Sequence, residues 1–197
     1  MIFQHGLGGS VQQAYDLFRD AKGLRLISMD CRNHGKTDGE KKAPLTTDNL
    51  AVDLSYFIEQ SLTEPFFIGG LSLGALLAVK VALTCPQQIR GIVLLRPAWP
   101  DAKCSTDFEA VRQAYPAYHD ILSADGAVAL SEIGTLPYRA LVLGMPGDSL
   151  HPADFALEVA RSFPRGIYEQ VPNKGEGEGV AYKASVREHV LQFLETK

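Results

Sequence analysis

The stretch from Pro65 to Leu83, PFFIGGLSLGALLAVKVAL, most restricts the folds open to this chain. Phe66, Phe67 and Ile68 form a short apolar run of the kind buried on both faces of a sheet. The Ala- and Leu-rich run after Gly74 is apolar all round, as a buried helix is. Between them lies Gly70-Leu71-Ser72-Leu73-Gly74, a G-x-S-x-G pattern. At such a strand-turn-helix corner the serine takes a strained backbone conformation, and the flanking glycines let strand and helix approach without side-chain clashes. Ser72 is then expected to project from the sheet at the start of the helix, where free N–H groups and the dipole favour developing negative charge. That suits an acyl-transfer nucleophile. A nucleotide-binding reading fails on spacing, because no Lys-Ser or Lys-Thr follows a G-x-x-x-x-G, and neither this turn nor Gly6-Leu7-Gly8 completes G-x-G-x-x-G.

Apolar periodicity extends the alternation along the chain. Met1 to Gln4 reads as a strand running into His5-Gly6-Leu7-Gly8-Gly9-Ser10, followed by a helix over about Gln12 to Arg19 and a strand from Leu24 to Met29 ending at Asp30. Asp48 to Gln60 is an amphipathic helix with Leu50, Leu54, Phe57 and Ile58 on one side. Ile89 to Leu95, Arg139 to Leu143 and Gly166 to Val171 read as later strands, and Ala153 to Ser162 and Ala184 to Glu195 as helices. The segment from Arg96 to Pro137 holds two helical stretches, near Phe108 to Tyr115 and Ala127 to Ile133, and no core strand. The fold class is therefore α/β, a mostly parallel, doubly wound sheet with helices on both faces. Ligands belong at the carboxyl ends of such strands. There the chain places His5 to Gly9, Asp30, Ser72, Arg96 to Trp99, and Gly144 to Asp148.

A chain of 197 residues fits one domain with a substantial core, here 1–197 with 96–137 as a cap insertion. A net charge of −4 and no basic cluster argue against a nucleic-acid or membrane-surface partner and leave small molecules as the expected ligands. No apolar run reaches membrane-spanning length, and MIFQHG lacks the pattern of a secretory leader, so a cytoplasmic location is expected. Cys31, Cys85 and Cys104 are odd in number and lack metal-ligand spacing, which fits free thiols.

Three marks in order, HGLGG after a strand, Asp30-Cys31-Arg32-Asn33-His34-Gly35-Lys36-Thr37 and the corner at Ser72, make the chain resemble the α/β-hydrolase superfamily, in its serine-nucleophile esterase and lactonase-like branch. The second mark is similar to that family's D-x-R-G-H-G-x-S. The resemblance implies Ser72 as nucleophile, an oxyanion hole from the backbone N–H groups of Leu7 and Leu73, and an acid after a later strand. Asp148 fits that place, with Asp101 as the second choice. Two fixed amides can stabilise the charge of a tetrahedral intermediate without reorganising, and losing one typically costs about 3 kcal/mol. No cofactor is implied.

The resemblance also implies a basic histidine in the loop Pro172 to Tyr182, which contains none. Among the five histidines, His5 and His34 belong to the first two marks, His119 to the inserted segment, and His151 before Pro152 reads as capping or orienting the acid loop. His189, beside the apolar stripe Val186, Val190, Phe193 and Leu194, lies nearest the C-terminal end and is taken as the base; Glu176, Glu178 and Tyr182 occupy the loop itself. The family's two strands before the HG loop are missing here, so Leu24 to Met29 is expected to be an edge strand able to pair with a second copy in a homodimer. The cap, carrying Trp99, Phe108, Tyr115 and Tyr118, would close an apolar pocket over Ser72, with Trp99 as a substrate contact. The expected function is cofactor-independent hydrolysis of a small carboxylic ester, thioester or lactone through an acyl-enzyme, the alternative being a binding protein of the same fold that has lost its base.

Overall fold

The computed structural model describes residues 1–38, 45–84, 88–101, 103–123, 126–174 and 179–196. Five strands, β1 (Ile2–Gln4), β2 (Phe66–Leu71), β3 (Ile89–Leu95), β4 (Arg139–Gly144) and β5 (Arg165–Gln170), lie in that spatial order and pair in parallel throughout. Parallel pairing requires each connection to cross a face of the sheet, and the helices α1 (Val11–Phe18), α2 (Thr47–Ser61), α3 (Leu73–Thr84), α4 (Phe108–Ala114), α5 (Leu130–Ile133), α6 (Ala153–Ser162) and α7 (Val180–Glu195) supply the crossings.

Successive side chains of a strand point to opposite faces, and the two cores follow that alternation. Ile2, Ile68, Ile92, Leu94, Ala140 and Val142 pack with α2, α3, α5 and α6 on one face. Phe3, Phe67, Val93, Leu95, Leu141 and Leu143 pack with α1 and α7 on the other. Helix α3 is buried along nearly its whole length because it lies between the sheet and α2, which explains why its sequence is apolar all round. Two helix starts carry capping oxygens: Ser10 accepts from the Gln12 amide before α1, and Thr46 from the Asn49 amide before α2.

Leu24 to Met29 does not become a strand. It runs beside β1 with a single parallel bridge, Ile2 to Ile27, in which the Ile27 amide donates to the Met1 carbonyl and the Phe3 amide to the Ile27 carbonyl, each at 2.9 Å. The ladder stops there for a chemical reason. The side-chain amide of Gln4 donates to the Met29 carbonyl at 3.1 Å and accepts from the Met29 amide at 3.2 Å, so a side chain satisfies the groups that backbone pairing would have used.

Between β3 and β4, residues 96–137 contribute α4, a 3-10 turn over Pro116–Leu122 absent from the sequence reading, and the short α5. Helix α7 begins at Val180, earlier than the apolar stripe suggests, which places Tyr182 inside the helix and buries its ring. Cys31 and Cys104 are free thiols, Cys31 buried, while Cys85 lies outside the described residues. Among the described residues no helix is long and apolar enough to cross a membrane.

Candidate active site

Ser72 sits between β2 and α3 with φ of 53°, the left-handed region that non-glycine residues seldom occupy. The surroundings hold it there. Its amide donates to the Leu95 carbonyl of β3 at 3.0 Å, and its carbonyl accepts from the Ala75 amide at 2.9 Å as α3 begins. The corner closes this tightly because Gly70 and Gly74 lack side chains: a Cβ on Gly70 would lie 2.3 Å from the Gly74 carbonyl, and one on Gly74 would lie 2.3 Å from the carbonyl oxygen of Gln4 in β1. Gly6 is adjacent, since a Cβ built there would lie 3.5 Å from the Ser72 Cβ. The loop that follows β1 and the corner that follows β2 thus meet at the carboxyl edge of the sheet. Leu7 and Leu73 line one cavity with Ser72, and Leu73 is the first residue of α3, where an N–H lacks an intrahelical acceptor.

The imidazole beside Ser72 belongs to His151. Its Nε2 lies 2.9 Å from Ser72 Oγ, and its Nδ1 lies 3.2 Å from Oδ2 of Asp148. Asp148 occupies the turn after β4, as the sequence suggests, and its Oδ1 accepts from the backbone amides of Leu150 and His151 at 3.1 and 3.0 Å. His189 does not reach this cluster. It lies on α7 with Nδ1 2.7 Å from the Ser185 carbonyl one turn earlier, and α7 packs on the face of the sheet that carries α1. The imidazole that stands against Ser72 is thus that of His151, and the expected His189 lies apart from it. Glu176 and Glu178 lie outside the described residues. Asp101 is not part of the cluster and accepts instead from the Lys103 amide at 2.8 Å.

A fourth group, which the sequence reading assigned no role, completes the arrangement. Arg96 leaves the end of β3 with φ of 48°, is 7% exposed, and is tied to β4 by its amide, which donates to the Leu143 carbonyl at 2.7 Å. Its Nε lies 2.6 Å and its Nη2 2.5 Å from Asp148 Oδ2, and Nη2 lies 3.0 Å from His151 Nδ1. Burial alone would raise the Asp148 pKa, but the contacts with His151 and Arg96 outweigh it and hold the carboxyl well below the usual carboxylate range. Burial, reinforced by the charges of Arg96 and Lys174, lowers the His151 pKa against the opposing pull of Asp148, so the ring is neutral at pH 7.

The other histidines are accounted for elsewhere. His5 Nε2 accepts from the Cys31 amide at 3.1 Å while Nδ1 lies 2.8 Å from the Gly6 carbonyl, which satisfies both ring nitrogens and fixes the start of the glycine loop. His34 stacks on Tyr118, with ring centroids 4.6 Å apart, and so docks the 96–137 segment onto the turn after Asp30. His119 is exposed.

The cavity over Ser72 measures about 340 Å³, and its wall carries Phe108, Val111, Tyr115, Ile121 and Leu122 from the inserted segment. That volume lies in the range of small-molecule sites. Trp99 touches the cavity but is 1% exposed, donates from Nε1 to the Val128 carbonyl at 3.0 Å and packs edge-on against Phe155. Its first role is thus to pin the insertion to α6.

The family model for the alpha/beta hydrolase fold matches residues 1–170. The chain belongs to that family. This α/β hydrolase is 27% identical over 117 residues to the sn-1-specific diacylglycerol lipase ABHD11 of Danio rerio, covering 58% of this chain and 36% of the relative. It is also 30% identical over 101 residues to ethanol acetyltransferase 1 of Cyberlindnera jadinii, covering 48% and 29%. The chain spans about a third of the length of these curated relatives. Among solved structures, Rv0554 of Mycobacterium tuberculosis superposes with a TM-score of 0.80 at 21% identity over 100% of this chain and 90% of that one, a likeness of fold.

Proposed function

We propose that this α/β hydrolase cleaves a small carboxylic ester, thioester or lactone through an acyl-enzyme on Ser72. The observation that carries the reading is the 2.9 Å approach of His151 Nε2 to Ser72 Oγ, with Asp148 behind the same ring. In the forward step Ser72 Oγ bonds to the carbonyl carbon and its proton passes to His151 Nε2. The bond to the leaving oxygen or sulfur then breaks, and the leaving group takes that proton. Water repeats the sequence, losing a proton to Nε2 as it attacks the acyl carbon, and Ser72 Oγ recovers it on departure. The backbone N–H groups of Leu7 and Leu73 are the assigned oxyanion donors, a role supported by their shared cavity wall with Ser72. The alternative of a binding protein without a base drew its support from the missing histidine in 172–182, and His151 removes that support by supplying an imidazole from the preceding loop.

A fluorophosphonate probe tests the reading. Labelling of the wild-type protein that disappears in Ser72→Ala is expected; an unlabelled wild type beside a reactive control enzyme would remove Ser72 as an activated nucleophile.

The pH profile should carry the signature of the buried base. His151 must be neutral to accept the proton, and its pKa is lowered from the ordinary 6.5, so activity holds as pH falls through 7 and declines only below about 6.5. Initial rates on p-nitrophenyl butyrate between pH 5 and 8 check this, and a midpoint above 7 would contradict the burial of the base.

A further inference from the structure

Arg96 and the base compete for Asp148. An ionised carboxylate offers about four lone-pair positions. On Oδ1 the amides of Leu150 and His151 take two, and on Oδ2 the Nε of Arg96 takes one at 2.6 Å, with Nη2 2.5 Å away in the ion pair. His151 Nδ1 lies farther out, 3.2 and 3.4 Å from the two oxygens, and closer to Arg96 Nη2 at 3.0 Å. A guanidinium can only donate. In that contact Nδ1 accepts, so the ring proton sits on Nε2 and points at Ser72 Oγ, 2.9 Å away. That tautomer cannot receive the serine proton. In serine triads a histidine held in the wrong tautomer loses about 10⁴ in turnover.

We infer that Arg96 locks His151 in the unproductive Nε2–H tautomer in the free protein, and that the preferred acyl substrate carries a carboxylate that draws the guanidinium away from Asp148 and Nδ1. This rests on the hydrolase reading above. Arg96 itself lines the cavity, so a bound anion can reach it without opening the core. The cavity wall also carries Lys174, whose Nζ lies 5.7 Å from the Tyr182 ring, and no Asp or Glu among its described residues. A carboxylate on the acyl chain meets two cations there, and the planar guanidinium offers it a paired hydrogen bond. Once Arg96 turns to the substrate, its hold on Oδ2 and on Nδ1 is released, and the ring proton moves to Nδ1, where it is donated to Asp148. Nε2 is then free to accept. Arg96 acts on the reaction through His151 and is a positioning residue that couples substrate charge to the state of the base.

Two measurements test this. Nitrogen-15 NMR of the free wild-type protein near pH 7.5 should show His151 with Nε2 protonated, and Arg96→Met should convert it to the Nδ1-protonated form. Kinetically, the mono-p-nitrophenyl ester of adipic acid should exceed p-nitrophenyl hexanoate in kcat/KM by at least about tenfold in the wild type, with uncatalysed rates subtracted. In Arg96→Met that preference should collapse while kcat on the neutral hexanoate rises about tenfold, a gain that simple loss of a structural arginine would not produce. Should Arg96→Met not fold, the wild-type spectrum and the wild-type preference decide the matter. Nδ1–H in the free wild type, or no preference for the anionic ester, overturns the inference while labelling of Ser72 keeps the hydrolase reading intact. No labelling of the wild type overturns both.

Discussion

Replacing His151 by alanine is expected to lower kcat/KM on the best ester substrate by roughly 10⁴- to 10⁶-fold, whereas His189→Ala should stay within about twofold of wild type. The difference follows from position. His151 Nε2 lies 2.9 Å from Ser72 Oγ, whereas the His189 ring is bonded to the carbonyl of Ser185 within its own helix. Serine and imidazole act as one unit, so Ser72→Ala and the double variant should fall to nearly the same residual rate as His151→Ala. The loss should appear in kcat with little change in KM, because the proton transfer belongs to the transition state and the cavity wall is left in place. Equal losses in His151→Ala and His189→Ala, with both proteins folded, would return the base to an open question.

Why Ser72 and Asp148 were legible and His151 was not is a matter of where the information lies. The corner at Ser72 is local: the glycines on either side, the apolar strand before and the apolar helix after dictate a bend, and the bend places the hydroxyl. Asp148 is nearly as local, standing just past the end of β4. The partnership of His151 with Ser72 spans 79 residues and exists only because β2 and β4 deliver their following loops to the same edge of the sheet. The one local clue was its spacing from Asp148, which lets the carboxylate bind the His151 amide and reach its ring. That clue alone suggests loop capping, and the capping bond does form; the same geometry also aims the ring at Ser72. Arg96 was invisible for a different reason. It follows four apolar residues and reads as the polar end of a strand, and only its buried contact with Asp148 shows that the charge is turned inward.

The fold was legible wherever burial imposed a period. Ile89 to Leu95 appears as a strand with the expected limits because its alternate residues serve two cores. Leu24 to Met29 has the composition of a strand without becoming one, since composition says nothing about which groups will bond, and the side chain of Gln4 takes the Met29 positions.

The second large effect concerns the corner as a mechanical part. Gly74→Ala is expected to destabilise the protein by about 3 kcal/mol or more, lowering Tm by about 6–12 °C for a chain of this size. The added methyl would lie 2.3 Å from the Gln4 carbonyl oxygen and 2.7 Å from that of His5, both of them backbone atoms. Neither can move freely. Gln4 is held in β1 and bonds Met29 and Cys31 through its side chain, and the His5 ring is fixed by the Cys31 amide and the Gly6 carbonyl. Relief therefore requires α3 to lift away from β1, which carries Ser72 and Leu73 away from Leu7. Gly23→Ala is the informative contrast, because at φ of 77° with nothing within 4 Å it costs only the left-handed backbone strain, about 1 kcal/mol. Thermal unfolding of the two variants separates close approach from strain. If Gly74→Ala melted as mildly as Gly23→Ala, β1 and α3 would be free to part, and a serine on so loose a corner could not be held at hydrogen-bond distance from His151.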